Sequence, residues 1–375
     1  MSKVTFPYLS NAVHPLTVLF EEMGQEVVVP FEPTKGTLDY GTKYAPEFAC
    51  LPLKILLGTY IEGLERGADT IVASGGVGPC RAGYYAQLHR EILASLGYCP
   101  EFIVFEPPLS HMSNLIRNVR ALNKNKLSLM SLTRLIYRTY VEIMAMDRLE
   151  QALHRVRPRQ ITLKESDRIY KKGVEMIRSA KTVKEIREAG TEAVRLMYRV
   201  PQNPDREIVT IGIVGEIYVL LEPAANLYLE TILGEMGAEV RRSMFLTSWF
   251  MDNVVVEGGG RQVKRAAKPY IPELIGGHGQ DSVGHTVLYA QEGIDGVVQL
   301  APFSCIPEIV AKGVLTKVSD DSSIPVLSVF LDEQTGEAGL RTRLEAFTDM
   351  LRSRKQARRK LGRFRPTTVS AASPQ

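Results

Sequence analysis

The sequence predicts an α/β protein built from two related parallel-sheet lobes with a helical insertion between them. Three observations carry this. Short apolar, β-branched runs alternate with helical segments toward both ends of the chain, the pattern of parallel strands joined by right-handed crossovers. A phrase repeats: EMGQEV, from Glu22 to Val27, returns as EMGAEV, from Glu235 to Val240, and RGADTIVASGGVGPC, ending at Cys80, returns as EGIDGVVQLAPFSC, ending at Cys305. Between the copies, over residues 109–199, strand signals vanish and apolar residues recur at helical spacing among many charges.

In the first copy, residues 4–9 predict a strand, 12–23 a helix, 26–30 a strand and 51–66 a helix rich in Leu and Ile. Residues 70–73 predict a short strand, 81–96 a helix, and 102–105 a strand stopped by Pro107 and Pro108. In the second copy, 207–214 predicts a strand, 224–236 a helix and 239–242 a strand, followed by an irregular stretch through Gly260. Residues 281–292 then predict a helix, 296–300 a strand, 307–317 a helix, 326–330 the last strand and 340–355 the closing helix. The expected domains are 1–108, 109–205 and 206–352, with a basic, disordered tail at 353–375.

A chain of 375 residues with 45% hydrophobic content exceeds a single core. The net charge of +4 comes from the tail: residues 352–365 hold eight basic side chains, and without those eight the remainder carries −4. That points to a solvated extension and not to a nucleic-acid protein. No segment reaches the roughly 18–20 apolar residues that span a bilayer, and the N-terminus lacks a signal-peptide pattern, so a soluble, cytoplasmic protein is expected. Four widely separated cysteines suit a reducing compartment, where they serve metals or catalysis more often than disulfides.

Cys80, Cys305 and Cys50 each precede a predicted helix, Cys80 and Cys305 at the same point of the repeat, with Pro52 and Pro307 placed for a first helical turn. Loops at the carboxyl ends of parallel strands form the binding crevice, so two facing lobes would bring Cys80 and Cys305 to one cleft, where helix starts favour thiolates. Thiolates suit zinc or iron–sulfur clusters, and the CxxC pairs of zinc ribbons are absent. Cys99 lies at the opposite end of the sheet, where a packing role is expected. Glu216, after a strand in GEIYV, points toward the cleft as a proton donor or hydrogen-bonding group. GGHGQDSVGH, from Gly276 to His285, reads equally as an anion cradle or as a loop with an Asp cap. Neither GxxxxGK nor a strand-linked GxGxxG occurs, so ATP hydrolysis and dinucleotide binding by this chain are not expected.

At GGVGPCRAGYY, FACLPLK, GEIYV followed by EMGAEV, APFSCIPEI and GEAGLRTRLEAF, the chain resembles the D-component-like branch of the 2-hydroxyacyl-CoA dehydratase family, the group called acyl-CoA dehydratase activase-related or CoA-protein activase-like. The resemblance spans residues 1–352. It implies two α/β lobes with a 4Fe-4S or double-cubane cluster held by Cys50, Cys80 and Cys305. It further implies an oxygen-sensitive reductase, dehydratase or electron-transfer component that depends on an ATP-driven activator protein, acts on an acyl-CoA or other small molecule, and works as a dimer. The competing readings are a non-redox regulatory or scaffold protein that keeps the fold, and a zinc-binding variant at the same cysteines.

Overall fold

The computed structural model describes residues 2–76, 78–106, 112–252 and 260–363. It contains two four-stranded sheets, all strands parallel. In the first, β1 (Lys3–Thr5), β2 (Glu26–Val27), β3 (Thr70–Ser74) and β4 (Glu101–Phe105) lie in the order β2-β1-β3-β4; in the second, β5 (Val209–Gly215), β6 (Ala238–Arg242), β7 (Gly296–Pro302) and β8 (Val326–Leu331) lie in the order β6-β5-β7-β8. The topologies are identical, and the repeated residues do the same work in each. Asp69 accepts from the Lys3 backbone N–H at 2.9 Å, and Asp295 accepts from that of Thr210 at 2.8 Å, so each copy's aspartate pins the first strand to the third. Gly24 and Gly237, in the repeated EMG, adopt φ of +93° and +83°, left-handed helix exits where a Cβ would be strained.

Helices cover both sheets. In the N-terminal lobe these are α1 (Val13–Glu22), α2 (Lys35–Tyr44), α3 (Leu51–Glu65) and α4 (Tyr85–Ser95). The insertion is helical, as its periodicity predicts: α5 (Met112–Leu122), α6 (Leu129–Val156), α7 (Glu165–Arg178) and α8 (Val183–Tyr198). Its core gathers Met146, Leu149, Val156, Ile177, Ile186 and Met197. The C-terminal lobe adds α9 (Ile217–Leu221), α10 (Leu229–Glu235), α11 (Leu246–Phe250), α12 (Arg261–Ala267), α13 (Gly279–Gln291), α14 (Ile306–Ser322) and α15 (Glu337–Arg363).

Three differences from the sequence reading have physical causes. Helix α2 was not predicted, because KGTLDYGTKY is polar and carries two glycines. Thr34 and Thr37 cap it reciprocally, and a Cβ at Gly41 would lie 1.7 Å from the Lys54 carbonyl oxygen. The glycine that weakens the local signal is what admits α3. Strand β1 stops at Thr5 instead of Leu9, since Pro7 cannot donate to a ladder. Helix α15 runs to Arg363, so the first part of the segment expected to be a disordered tail is helical; residues 364–375 lie outside the described residues.

The lobes share a core. Leu51 and Ile55, at the start of α3, pack with Val209, Ile211 and Val298 of the second sheet, while Leu57, Tyr60 and Ile61 farther along α3 pack with Ile71 of the first sheet and Leu93 of α4. Lys54 extends the same join by pairing with Glu333 at 2.7 Å. No helix among the described residues is long and apolar enough to cross a membrane.

Candidate functional site in the cleft between the lobes

Each candidate cysteine caps a helix. Cys50 is the N-cap of α3 and Cys305 of α14, both followed by proline in the first turn, and Cys80 caps the short 3-10 turn Arg81–Tyr84. Extended backbone at each cap turns the chain from loop into helix.

The loops bearing the three cysteines are clasped together. Arg81, next to Cys80, donates to the Phe48 carbonyl at 3.1 Å and to the Ser304 carbonyl at 2.5 Å. Ser304 Oγ in turn donates to the Phe48 carbonyl at 2.8 Å. Phe48 stands two residues before Cys50, and Ser304 immediately before Cys305. Ser304 holds φ +63°, a left-handed conformation unusual for serine, which the clasp keeps in place.

The glycine-rich segment 276–279 closes the cleft from the side. A Cβ at Gly276 would lie 2.8 Å from the Cys80 backbone nitrogen, and one at Gly277 would lie 3.0 Å from Pro307 Cγ and 3.7 Å from Cys80 Sγ. These glycines let backbone approach Cys80 and Pro307. Asp281 does not cap α13; its carboxylate meets His278 Nδ1 at 3.2 Å. Burial opposes protonation of His278, but Asp281, with the charges of Glu216 and Glu308 behind it, overcomes this and holds the imidazole above its usual range.

Glu216 caps α9, accepting the Tyr218 and Val219 backbone N–H groups at 3.0 and 3.2 Å. Burial nonetheless raises its carboxyl above the ordinary range, and its field reaches Cys50, Cys80 and Cys305. The same burial pushes all three thiols up, against the backbone amides of Leu53, Ala82 and Glu308. This corrects the expectation that helix starts would yield thiolates: desolvation outweighs a helix-end dipole here. Tyr85 contacts the Cys50 thiol through its hydroxyl. Glu308, one turn into α14, accepts from Ser282 at 3.0 Å and Gln299 at 2.8 Å, and burial raises it to about 7.

Cys50, Cys80, Cys305 and Glu216 therefore share one environment. Cys99 does not pack as expected; it is exposed, at the turn before β4, away from the cleft. Sequence reasoning missed Arg81, Ser304, Tyr85, His278 and Glu308. Arg81 and Ser304 adjoin the cysteines and were within reach of a closer reading; the others become neighbours only through the packing of α4, α13 and α14.

A second polar cluster lies where the insertion meets the C-terminal lobe. Donor atoms of Glu150, His154 and Glu230 lie within 4.8 Å of one another. Arg242 already fills this cluster, reaching Glu150 at 2.6 Å and Glu230 at 3.2 Å, while His154 meets Glu230 at 3.1 Å. Burial alone would raise Glu230, but Arg242 and His154 overcome it and hold the carboxyl at about 2.

Residues 11–244, more than half of the chain, match the model of the family described as the CoA enzyme activase uncharacterised domain. The chain belongs to the CoA enzyme activase family. The match takes in Cys50, Cys80 and Glu216 and stops short of Cys305. An activase is a different protein from a dehydratase component, so the family shown is the activase side of the expected resemblance. No curated protein matches the chain.

Proposed function

We propose that this CoA enzyme activase-family chain is an iron–sulfur component of an activation system, with a 4Fe-4S or double-cubane cluster held by Cys50, Cys80 and Cys305. The Arg81 clasp, which joins the loops of all three cysteines across the two lobes, carries this reading. The donor set suits the group, since thiolates are the usual ligands of iron–sulfur clusters. Burial raises three neighbouring thiols, Arg81 offsets this only in part at Cys50 and Cys80, and bound iron would supply the missing countercharge. The CxxC pairs of structural zinc ribbons are absent from the chain.

When bound, such a cluster supplies low-potential electron transfer and, with three protein ligands, an iron open to substrate. The chain's own residues then have separate tasks. Glu216, its carboxyl raised by burial, is the proton donor or hydrogen-bonding group beside the cysteines, His278 is poised by Asp281, and Arg81 holds both lobes in register. With no phosphate-binding loop in the chain, the electron comes from an ATP-driven partner. The reaction served is the elimination of water from a 2-hydroxyacyl-CoA, redox-neutral overall so that the supplied electron is returned, or a reduction of a related small molecule that consumes it.

Anoxic purification tests this. A brown protein with about four iron and four sulfide per chain is expected, falling to none in Cys80→Ala and Cys305→Ala. Full iron in Cys80→Ala, or an iron-free folded protein after reconstitution with iron and sulfide, overturns the assignment.

A further inference from the structure

A groove away from the cysteines, between α6 and α8 of the insertion, has a volume of about 590 Å³. Its α6 wall runs through Val141, Ala145, Arg148, Ala152 and Arg155, and its α8 wall through Arg187, Thr191, Val194 and Tyr198. Both walls step by three and four residues in alternation, the spacing with which one helix receives another. From Val141 to Arg155 the wall is about 21 Å long at 1.5 Å per residue, a length that suits about four helical turns better than a compact metabolite.

The floor and rim differ in chemistry. Val141, Ala145, Ala152 and Gly190 are buried and, except for Val141, small, so a third helix could approach closely. A Cβ at Gly190 would lie 2.9 Å from that of Ala145, so the floor is already tight where the two helices meet. The rim carries Arg148, Arg155 and Arg187, all exposed. None of them has a carboxylate partner among the described residues, whereas the neighbouring Arg195 pairs with Glu192 at 2.6 Å and Lys184 with Glu188 at 3.9 Å. Arg187 meets the Tyr137 hydroxyl at 2.5 Å and lies over its ring, and Arg155 meets the Tyr198 hydroxyl at 3.4 Å.

We propose that this groove is the docking site for an amphipathic helix of another protein, one with apolar residues at heptad spacing flanked by Asp and Glu. Charge complementarity selects the occupant. Three unpaired arginines repel this chain's own basic C-terminal segment and attract carboxylates. That the helix belongs to the electron donor rests on the reading above; the groove itself does not.

The test uses the full-length protein and three fluorescent 21-residue helical peptides with leucine at the a and d positions and glutamate, glutamine or lysine at e and g. The glutamate peptide should bind saturably, and the other two at least about tenfold more weakly, with the gap closing as salt rises. The double variant Arg148→Glu, Arg155→Glu should invert the preference toward the lysine peptide. Thr191→Trp, which fills the groove from an exposed position, should block both. Melting temperature checks the fold of each variant, and iron content reports on the cysteine cleft independently of docking. Equal binding of all three peptides, an unchanged preference in the double variant, or displacement of the peptide by coenzyme A or ATP would overturn the proposal.

Discussion

The cysteine cleft and the Arg242 junction are both buried, both polar and both built where two parts of the chain meet, yet they are opposite in completeness. At the junction the charges are paired: Arg242 reaches Glu150 and Glu230 and His154 supports Glu230, while the adjoining Asp147, raised to about 6 by burial, accepts from Thr247 at 2.6 Å. In the cleft, burial first and the field of Glu216 after it raise three thiols, and burial raises Glu216 itself; Arg81 and His278 offset this only in part. A saturated buried network stabilises a join. An unsaturated one that the fold still holds in register is what the proposed cluster would complete.

Breaking the junction should have the largest effect. Arg242→Met leaves two buried carboxylates without their cation, a loss of about 3–5 kcal/mol. Urea unfolding should show it, while iron per folded chain stays unchanged. Tolerance of the change, or uptake of zinc at Glu150, His154 and Glu230 in the natural protein, would mean that the junction is less complete than its geometry indicates.

The two regions should also answer pH with opposite signs. Glu308, beside the cleft, is held near 7 by burial, above the roughly 4.3 of an unfolded chain. Its contribution to stability is present below the unfolded value and lost as pH rises through about 7. Glu230 is held near 2, so its contribution is present above the unfolded value and lost as pH falls through about 2. In melting series, Glu308→Gln should therefore flatten the decline between pH 5 and 8 in the iron-free protein, whereas Glu230→Gln should flatten the decline below pH 5. Parallel pH curves for Glu308→Gln and the natural protein would remove Glu308 from this account.

Cys50→Ala sharpens the comparison from the cleft side. In the iron-free protein it should cost only about 1 kcal/mol, since a small buried side chain is exchanged for a smaller one. Against that small structural loss, iron binding should fail almost completely. A stability loss as large as that of Arg242→Met, with iron retained, would make Cys50 a packing residue.

The repeated phrases made the fold legible because they encode backbone requirements: the positive φ of Gly24 and Gly237, and the strand-pinning carboxylates of Asp69 and Asp295. The three cysteines were legible for the same reason, since a residue after a parallel strand or before a helix can be assigned to an end of the sheet. Helix α2 was not, because close packing on α3 overrides its weak propensity. The protonation of the thiols was hidden too, because desolvation depends on which distant segments cover them. Arg242 stayed invisible in a run of ordinary charges, as its partners lie 92 and 12 residues away.

The smallest predicted effect concerns the C-terminal end, where charges form a partly exposed counterpart of the junction. Lys355 meets Asp295 at 2.7 Å and the Ile208 carbonyl at 2.9 Å, and Arg359 meets Glu207 at 3.1 Å. Asp295 is the residue that pins β5 to β7, so the basic helix end braces the repeat's own anchor. Deleting residues 364–375 should leave the melting temperature unchanged. Deleting 353–375 should lower stability by about 1 kcal/mol, roughly 2–4 °C, because partly exposed pairs contribute little each. The difference between the two truncations should shrink as salt screens the pairs. Equal melting temperatures for both truncations at low salt would show that α15 past Arg352 is solvated extension alone.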